Sequence, residues 1–156
     1  MFQVDESIQK MWENYLKSIG ESPSSSNKKY TAWHFCDNEQ DANELAELVV
    51  NETKKATASL YLSYGSEDEL PKVGDFSVII NWNNEAQCII KTTNIEIVPY
   101  KDVTEEFAAT EGEGDKSLEY WRRAHWSYFS REMKEIGKEP TEDMLVVCEK
   151  FEVVFK

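Results

Sequence analysis

The sequence predicts an α+β fold in which a bent sheet or small β-barrel is flanked by helices. Three observations support this prediction. The predicted strands and helices do not alternate regularly, the middle of the chain is typical of a β meander, and a valine-rich strand at Leu145–Phe155 follows a long helix. At 156 residues the chain is expected to form one domain that covers residues 1–156.

The first half of the chain predicts two helices and two strands. Apolar residues recur at helical spacing from Asp5 to Ile19, with Asp5 or Ser7 as the cap. A serine-rich loop follows, and then "YTAWHFC" at 30–36 predicts a strand. Asp37 with Gln40 fits a capping box for a helix that ends near Thr53, and residues 56–64 predict the next strand.

The second half supplies the meander and the long helix. Strands are predicted at 76–82 and 87–98, and the "NNE" between them indicates a short hairpin connection. Thr104 is expected to cap a short helix that contains Phe107. A longer helix is predicted from Asp115 or Ser117 to Ile136, and Gly137 is expected to end it.

Composition and charge exclude several classes of protein. A net charge of −13 argues against a general nucleic-acid coat protein, which must neutralise many phosphates. Two histidines and no CxxC pair argue against a zinc site, so we expect no metal and no cofactor. The chain has no apolar stretch of membrane-spanning length and no signal peptide pattern. Three widely spaced cysteines predict reduced, buried thiols in a cytoplasmic protein.

Two lysines and two hydroxyls crowd the junction "NETKKATASL" at residues 51–60. If a strand begins near Ala56, Thr57 and Ser59 point to the same face, and Lys54 could lean over it. A desolvated lysine can act as a base beside a hydroxyl nucleophile, whereas a protonated lysine can stabilise an oxyanion. Residue spacing does not choose between these roles, and a solvated turn is the plain structural interpretation.

The last helix offers further candidate residues. Between Asp115 and Gly137 there are five Lys or Arg residues against four Asp or Glu, which makes this helix basic relative to the chain. Arg122 could therefore border a site for an anionic or polar ligand, although a surface position is the ordinary interpretation. His125 stands next to a tryptophan, and a packed histidine is its ordinary interpretation.

Four segments and one turn together resemble the ASCH-domain family, a branch of the PUA-like superfamily. The turn is "VGDF" at 73–76, and the segments are "AWHF" at 32–35, "ANELAELVVNETKKATASL" at 42–60, "SLEYWRRAHWSYFSRE" at 117–132 and "EDMLVVCEKFEVVF" at 142–155. The first helix, with "MWENYL", is similar to that of the longer bacterial-type subgroup. The resemblance implies a PUA-like β-barrel with helices around it and a cleft for RNA or nucleobase-containing ligands.

The resemblance also implies functional residues. Small members of the family are N4-acetylcytidine amidohydrolases that use a lysine, a threonine and a glutamate, which correspond to Lys54, Thr57 and Glu111 here. The family's glycine is replaced by Glu52, Lys55 stands where a threonine is frequent, and Ser59 stands where the small amidohydrolases have arginine. These departures bear on the identity of the substrate.

Three functional hypotheses follow. The first is an amidohydrolase acting on a modified nucleoside, with Lys54 activating Thr57 or water and Glu111 moving a proton. The second is a single-stranded RNA-binding protein or ribonuclease, and the third is a non-enzymatic RNA-binding regulator. The candidate partners are a nucleoside-like small molecule or single-stranded RNA, with no membrane, and a homodimer is among the assemblies considered. The ligand-contact candidates are Trp33, Lys55, Ser59, Arg122 and His125.

Overall fold

The computed structural model describes residues 6–156, which form four α-helices and five β-strands. The helices are α1 (Glu6–Ser18), α2 (Glu39–Val50), α3 (Glu105–Glu111) and α4 (Leu118–Glu135). The strands are β1 (Tyr30–Trp33), β2 (Ala56–Leu60), β3 (Phe76–Ile80), β4 (Ala86–Pro99) and β5 (Leu145–Phe155). Within this part of the chain, no helix is both long and apolar enough to cross a membrane.

The five strands form one mixed sheet in the order β1-β3-β4-β5-β2. Strand β1 pairs with β3 in parallel, and β2 pairs with β5 antiparallel. The prediction of an α+β fold is therefore confirmed, but the sheet is not closed into a barrel. Closure requires the two edge strands to pair with each other. Here the edge strands have only four and five residues, and helix α3 packs against β2.

The first compact unit comprises the described residues up to Glu52, together with Gly74–Thr92 and Phe151–Lys156. Helix α1 buries an apolar face against Phe76 and Val78 of β3, because its apolar residues recur every three or four positions. Helix α2 buries Ala46 and Val49 in a separate cluster with Ile79 and other side chains. The predicted cap at Asp5 lies outside the described residues.

The second compact unit comprises Thr53–Val73 and Thr93–Lys150. Strand β2 pairs with β5 from Ala56 opposite Lys150 to Leu60 opposite Val146. Alternation along β2 places Ala56, Ala58 and Leu60 against the core. The buried members of this core include Tyr100, Phe107, Trp121, Phe129, Met133, Met144 and Cys148.

Several predicted boundaries change for local reasons. The strand expected at 30–36 ends at Trp33, and Cys36 has a φ of +57°, which an extended strand does not allow. The strand expected to reach Tyr64 ends at Leu60 and continues as a 3₁₀ turn. Helix α2 is capped by Asn38 rather than Asp37, because the Asn38 side chain accepts a hydrogen bond from the Asp41 amide.

The caps of the last two helices are as predicted. The Thr104 hydroxyl accepts from the amide of Phe107, and the Ser117 hydroxyl accepts from the amide of Tyr120. Of the cysteines, Cys88 and Cys148 are buried and Cys36 is only partly buried. No disulfide joins any of them in residues 6–156.

Candidate functional site

Lys54 precedes β2, and its side chain is buried inside the second unit. Its exposed fraction is only 1%, which is unusual because lysines are almost never fully buried unless they are paired. The neighbouring backbone is fixed by the amide of Lys55, which donates to the carbonyl of Thr110 at 2.9 Å. This hydrogen bond holds the segment before β2 against the last turn of α3.

The ammonium of Lys54 donates to three oxygens. Its Nζ lies 3.0 Å from Oε2 of Glu111, 2.8 Å from Oε2 of Glu113 and 2.8 Å from the carbonyl oxygen of Ala56. An ammonium has three N–H donors, and these three acceptors match them. The side chain is therefore held in one position by two carboxylates and one backbone carbonyl.

Glu111 is the last residue of α3, and Gly112 ends that helix in a left-handed conformation with φ of +73°. The Glu111 carboxylate is 1% exposed. Its Oε1 accepts a hydrogen bond of 2.5 Å from Nε1 of Trp121, and Nε2 of His125 lies 3.3 Å from both carboxylate oxygens. Trp121 and His125 are one turn apart on α4, and their rings stack with centroids 4.1 Å apart. One face of α4 therefore encloses this carboxylate.

Both ring nitrogens of His125 face acceptors. Nδ1 lies 2.8 Å from the carbonyl oxygen of Trp121, and Nε2 faces Glu111. Only the imidazolium carries a proton on both nitrogens. Burial acts to lower the pKa of His125, but the charge and hydrogen bond of Glu111 outweigh it, so its pKa is raised.

The pKa values of Lys54 and Glu111 keep this pair charged. Burial acts to lower the pKa of Lys54, but the charges of Glu111 and Glu113 outweigh it and the net pKa is raised. Burial acts to raise the pKa of Glu111, but the charges of Lys54 and His125 hold it well below its ordinary value. The ion pair is therefore formed across the neutral pH range.

Glu113 behaves differently from its neighbour. Burial is the main cause that raises its pKa to about 7, and a hydrogen bond and repulsion from Glu111 add to this effect, while the charge of Lys54 opposes it. Its side chain is 19% exposed, against 1% for Glu111. It is therefore the carboxyl group of the pair that both reaches solvent and titrates near neutral pH.

Glu111, Glu113 and His125 lie close together but do not form a suitable metal site. One donor atom from each of Glu111, Glu113 and His125 lies within 4.8 Å of the others, a spacing that could hold an ion. The ammonium of Lys54 already occupies the shared edge of the two carboxylates. A divalent cation at that edge would meet a buried positive charge, so these donors fit a lysine better than a metal.

Thr57 and Ser59 lie on the face of β2 opposite the core residues Ala56 and Ala58. The Ser59 hydroxyl lies 2.7 Å from the hydroxyl of Tyr64. Within residues 6–156, no hydrogen bond joins Thr57 to Lys54 or Glu111. The structure thus brings Lys54, Glu111 and His125 together and places Thr57 and Ser59 on another face of the strand.

The remaining candidates do not join the buried cluster. The side chains of Lys55 and Arg122 are exposed, and the guanidinium of Arg122 donates to the carbonyl of Lys101 at 3.3 Å. Trp33 belongs to the first unit, where its ring meets Phe35 edge-on with centroids 4.9 Å apart. In that unit Trp33 is therefore a packed aromatic side chain.

Sequence reasoning did not assign Glu113 or Trp121 to the site. Glu113 contacts the same lysine as Glu111, two positions further along the chain. Trp121 lies on the buried face of α4. Its spacing of four residues from His125 was the available signal, because residues four apart share one face of a helix.

The comparisons with known proteins agree with this architecture. The family model of the ASCH domain matches residues 31–155. The structure of an ASCH domain from Lactobacillus crispatus JV V101 is similar at 42% identity and a TM-score of 0.89, covering 98% of this chain and 97% of that one. A protein from Enterococcus faecalis V583 is similar at 34% identity and a TM-score of 0.83, covering 96% and 89%.

A hypothetical protein at 19% identity has a TM-score of 0.52, which shows a shared fold alone. No significant match was found among curated proteins. The family match spans far more than half of the sequence, and both closely similar structures cover nearly all of it. The chain therefore belongs to the ASCH domain family.

Proposed function

We propose that this protein hydrolyses an amide bond of a modified nucleoside, with N4-acetylcytidine as the first substrate to test. The observation that carries this proposal is the ammonium of Lys54 held between Glu111 and Glu113. It places a fixed positive charge beside a partly exposed carboxyl group that titrates near neutral pH. Amide hydrolysis needs both an oxyanion stabiliser and a proton carrier.

Lys54 acts in this proposal as the stabiliser of negative charge. A general base must be deprotonated before it acts, and the raised pKa of Lys54 keeps its proton in place. A fixed ammonium in a site of low dielectric favours the charge that develops on the carbonyl oxygen when a nucleophile adds to the amide carbon. The alternative role, a neutral lysine that activates Thr57, has no support from these contacts.

Water is the nucleophile that fits the geometry best. No group among the described residues forms the hydrogen bond to the Thr57 hydroxyl that an activated nucleophile needs. Thr57 is partly exposed, and we assign to its hydroxyl a contact with the ligand. The acidic chain suits an uncharged nucleoside, because such a ligand needs no phosphate-binding surface.

The test is release of acetate from N4-acetylcytidine by the purified protein. We expect turnover in the wild type and in Glu106→Gln, an exposed carboxylate of α3 that serves as the matched control. Lys54→Met should remove turnover while circular dichroism shows that the variant is folded. Thr57→Val should raise KM and leave most of kcat, whereas complete loss of kcat would identify Thr57 as the nucleophile.

A second function is favoured by the family itself, since the ASCH domain has a PUA-like fold that is associated with RNA binding. Exposed basic side chains in the second unit, including Lys55 and Arg122, could contact phosphates. If the wild type releases no acetate, amide hydrolysis of this nucleoside is excluded. Binding and cleavage of single-stranded RNA at several salt concentrations would then separate a ribonuclease from a non-enzymatic RNA-binding regulator.

A further inference from the structure

We infer that Glu113, rather than Glu111, is the residue that exchanges protons with the substrate, and that Glu111 is a positioning residue for Lys54. This inference rests on the proposed amide hydrolysis and assigns its proton carrier. The sequence resemblance pointed to Glu111 for that role. The contacts of the two carboxyl groups separate their functions.

Access to the reacting atoms distinguishes the two glutamates. Glu111 is 1% exposed, and its oxygens accept from Trp121 on one side and Lys54 on the other. A carboxylate in this position cannot reach a ligand without breaking those hydrogen bonds. Glu113 contacts the same ammonium at 2.8 Å, yet 19% of its side chain remains exposed. A ligand that approaches the ammonium from solvent therefore meets Glu113 first.

Of the two carboxyl groups, Glu113 is also the one that binds a proton near neutral pH. Burial raises its pKa, whereas the charges of Lys54 and His125 hold the pKa of Glu111 well below its ordinary value. Three charged groups face Glu113: Lys54 from the segment before β2, Glu111 from α3 and His125 from α4. Lys54 and His125 favour its ionised form, while Glu111 and burial favour its neutral form. Its pKa of about 7 is suited to accepting and returning a proton at neutral pH.

Glu113 alone can carry the proton through the complete hydrolysis. As the oxygen of water bonds to the amide carbon, the Glu113 carboxylate takes a proton from that water and the carbonyl oxygen becomes an oxyanion. The tetrahedral intermediate then collapses, the C–N bond breaks, and Glu113 returns the proton to the departing amine nitrogen. The products are a carboxylic acid and an amine, and Glu113 is again a carboxylate.

Protonation of Glu113 also explains how Lys54 can assist. All three donors of the ammonium are used by Ala56, Glu111 and Glu113. When Glu113 takes the water proton it loses its negative charge, and its hydrogen bond from Lys54 weakens. The ammonium can then donate to the oxyanion that forms in the same step. Proton uptake by Glu113 and charge stabilisation by Lys54 are thereby coupled.

The experiment is the pH dependence of kcat/KM for N4-acetylcytidine in the wild type, Glu113→Gln and the control Glu106→Gln. In the wild type and the control, kcat/KM should rise with pH to a plateau above about 7, because the carboxylate is the active form. Glu113→Gln should lower kcat by about 100-fold or more and remove that inflection. Sodium formate should restore part of the activity of Glu113→Ala by supplying a carboxylate, which a purely structural role would not allow.

Infrared spectroscopy gives a second readout that requires no turnover. The wild type should show a protonated carboxyl band that disappears with a midpoint of about 7 and is missing in Glu113→Gln. Full activity or an unchanged inflection in Glu113→Gln, or the same band in both proteins, would overturn the assignment of Glu113 alone. A folded wild type that shows the band but releases no acetate would overturn the hydrolase proposal, and the transfer step with it.

Discussion

The indole nitrogen of Trp121 donates a hydrogen bond of 2.5 Å to Oε1 of Glu111, and both side chains are buried. Helix α4 thereby supplies a neutral donor to one carboxylate oxygen, while Lys54 supplies a charged donor to the other. His125, which stacks on the indole ring, lies 3.3 Å from the same carboxylate. The charged pair is thus enclosed by groups that hold Glu111 ionised in the interior.

Trp121→Phe is expected to destabilise the protein through this hydrogen bond. The substitution keeps an aromatic ring in the core but removes the N–H group, so the buried oxygen of Glu111 loses a donor. The expected loss is about 1–3 kcal/mol in the free energy of unfolding, measured with urea. Trp126→Phe is the matched control, because Trp126 packs against the same core without a hydrogen bond to Glu111. Equal losses in the two variants would contradict this interpretation.

Lys54→Met is expected to cost more than Trp121→Phe. Methionine fills a similar volume, but the variant leaves the ionised carboxylate of Glu111 buried without its cation. Removal of one partner from a buried ion pair typically costs about 3–5 kcal/mol. Lys55→Met, at an exposed neighbouring position, should change the free energy of unfolding by less than about 0.5 kcal/mol.

A double-mutant cycle separates the interaction energy of the ion pair from the effect of losing the lysine side chain. Glu111→Gln combined with Lys54→Met removes both charges, so the double variant should be more stable than the sum of the single losses predicts. Strict additivity would show that Lys54 and Glu111 do not stabilise each other, despite the distance of 3.0 Å between them. The measurement is again urea unfolding at pH 7.

Local patterns in the sequence were sufficient to predict the helices and the caps of the last two. The hydroxyls of Thr104 and Ser117 are polar groups directly before apolar periodic runs, and capping depends only on such neighbours. The strand at Leu145–Phe155 was also predicted from local sequence, because its valine-rich composition favours extended backbone. These features depend on residues within a few positions of one another.

Features that depend on distant residues were harder to predict. Lys54 and Glu111 are 57 positions apart, and only the family resemblance suggested that they act together. Neither spacing nor resemblance assigned a role to Glu113. Its pKa is raised because burial and the charge of Glu111 act on it in the folded protein, and a sequence pattern does not contain that information. Whether the sheet closes depends on how its edge strands pair, and a pattern within one strand does not contain that information.

The free energy of unfolding should fall as pH rises from about 4.5 to about 7. The pKa of Glu113 is raised from 4.5 to about 7 on folding, so in this range the unfolded chain releases a proton that the native protein keeps. At about 1.4 kcal/mol for each unit, the full change in the pKa of Glu113 corresponds to about 3.5 kcal/mol. About 2–3 kcal/mol of this should appear between pH 4.5 and 7, because both titrations extend beyond this range. Glu113→Gln should lose this decrease, since glutamine cannot ionise.

The other buried titratable groups do not reverse the expected fall in the free energy of unfolding as pH rises. The lowered pKa of Glu111 contributes stability that is lost only as pH falls through its folded value, well below 4.5. The raised pKa of His125 contributes stability that is present below 6.5 and lost as pH rises through its folded value, which adds to the same trend. The measurement is urea unfolding at several pH values, with Glu106→Gln as the control. An equally steep decrease in Glu113→Gln would contradict the prediction.

Gly112→Ala is expected to disrupt the site by displacing the segment that carries Lys54. Gly112 has a φ of +73°, and a Cβ atom there would overlap the carbonyl oxygen of Thr53 and lie 3.1 Å from Cα of Lys54. Gly137 has the same φ of +73° but no atom within 4 Å of such a Cβ atom. Gly137→Ala should therefore lower the free energy of unfolding by about 1–2 kcal/mol, only because alanine disfavours a positive φ.

Gly112→Ala should lose that amount and about 1–3 kcal/mol more, because the added methyl group must displace the backbone. The movement should also lengthen the contacts of Lys54 with Glu111 and Glu113. The pKa of Glu113 would then move away from about 7, and the infrared carboxyl band would shift its midpoint in Gly112→Ala but not in Gly137→Ala. Equal stability losses and unchanged midpoints in both variants would show that close packing at Gly112 does not position the lysine.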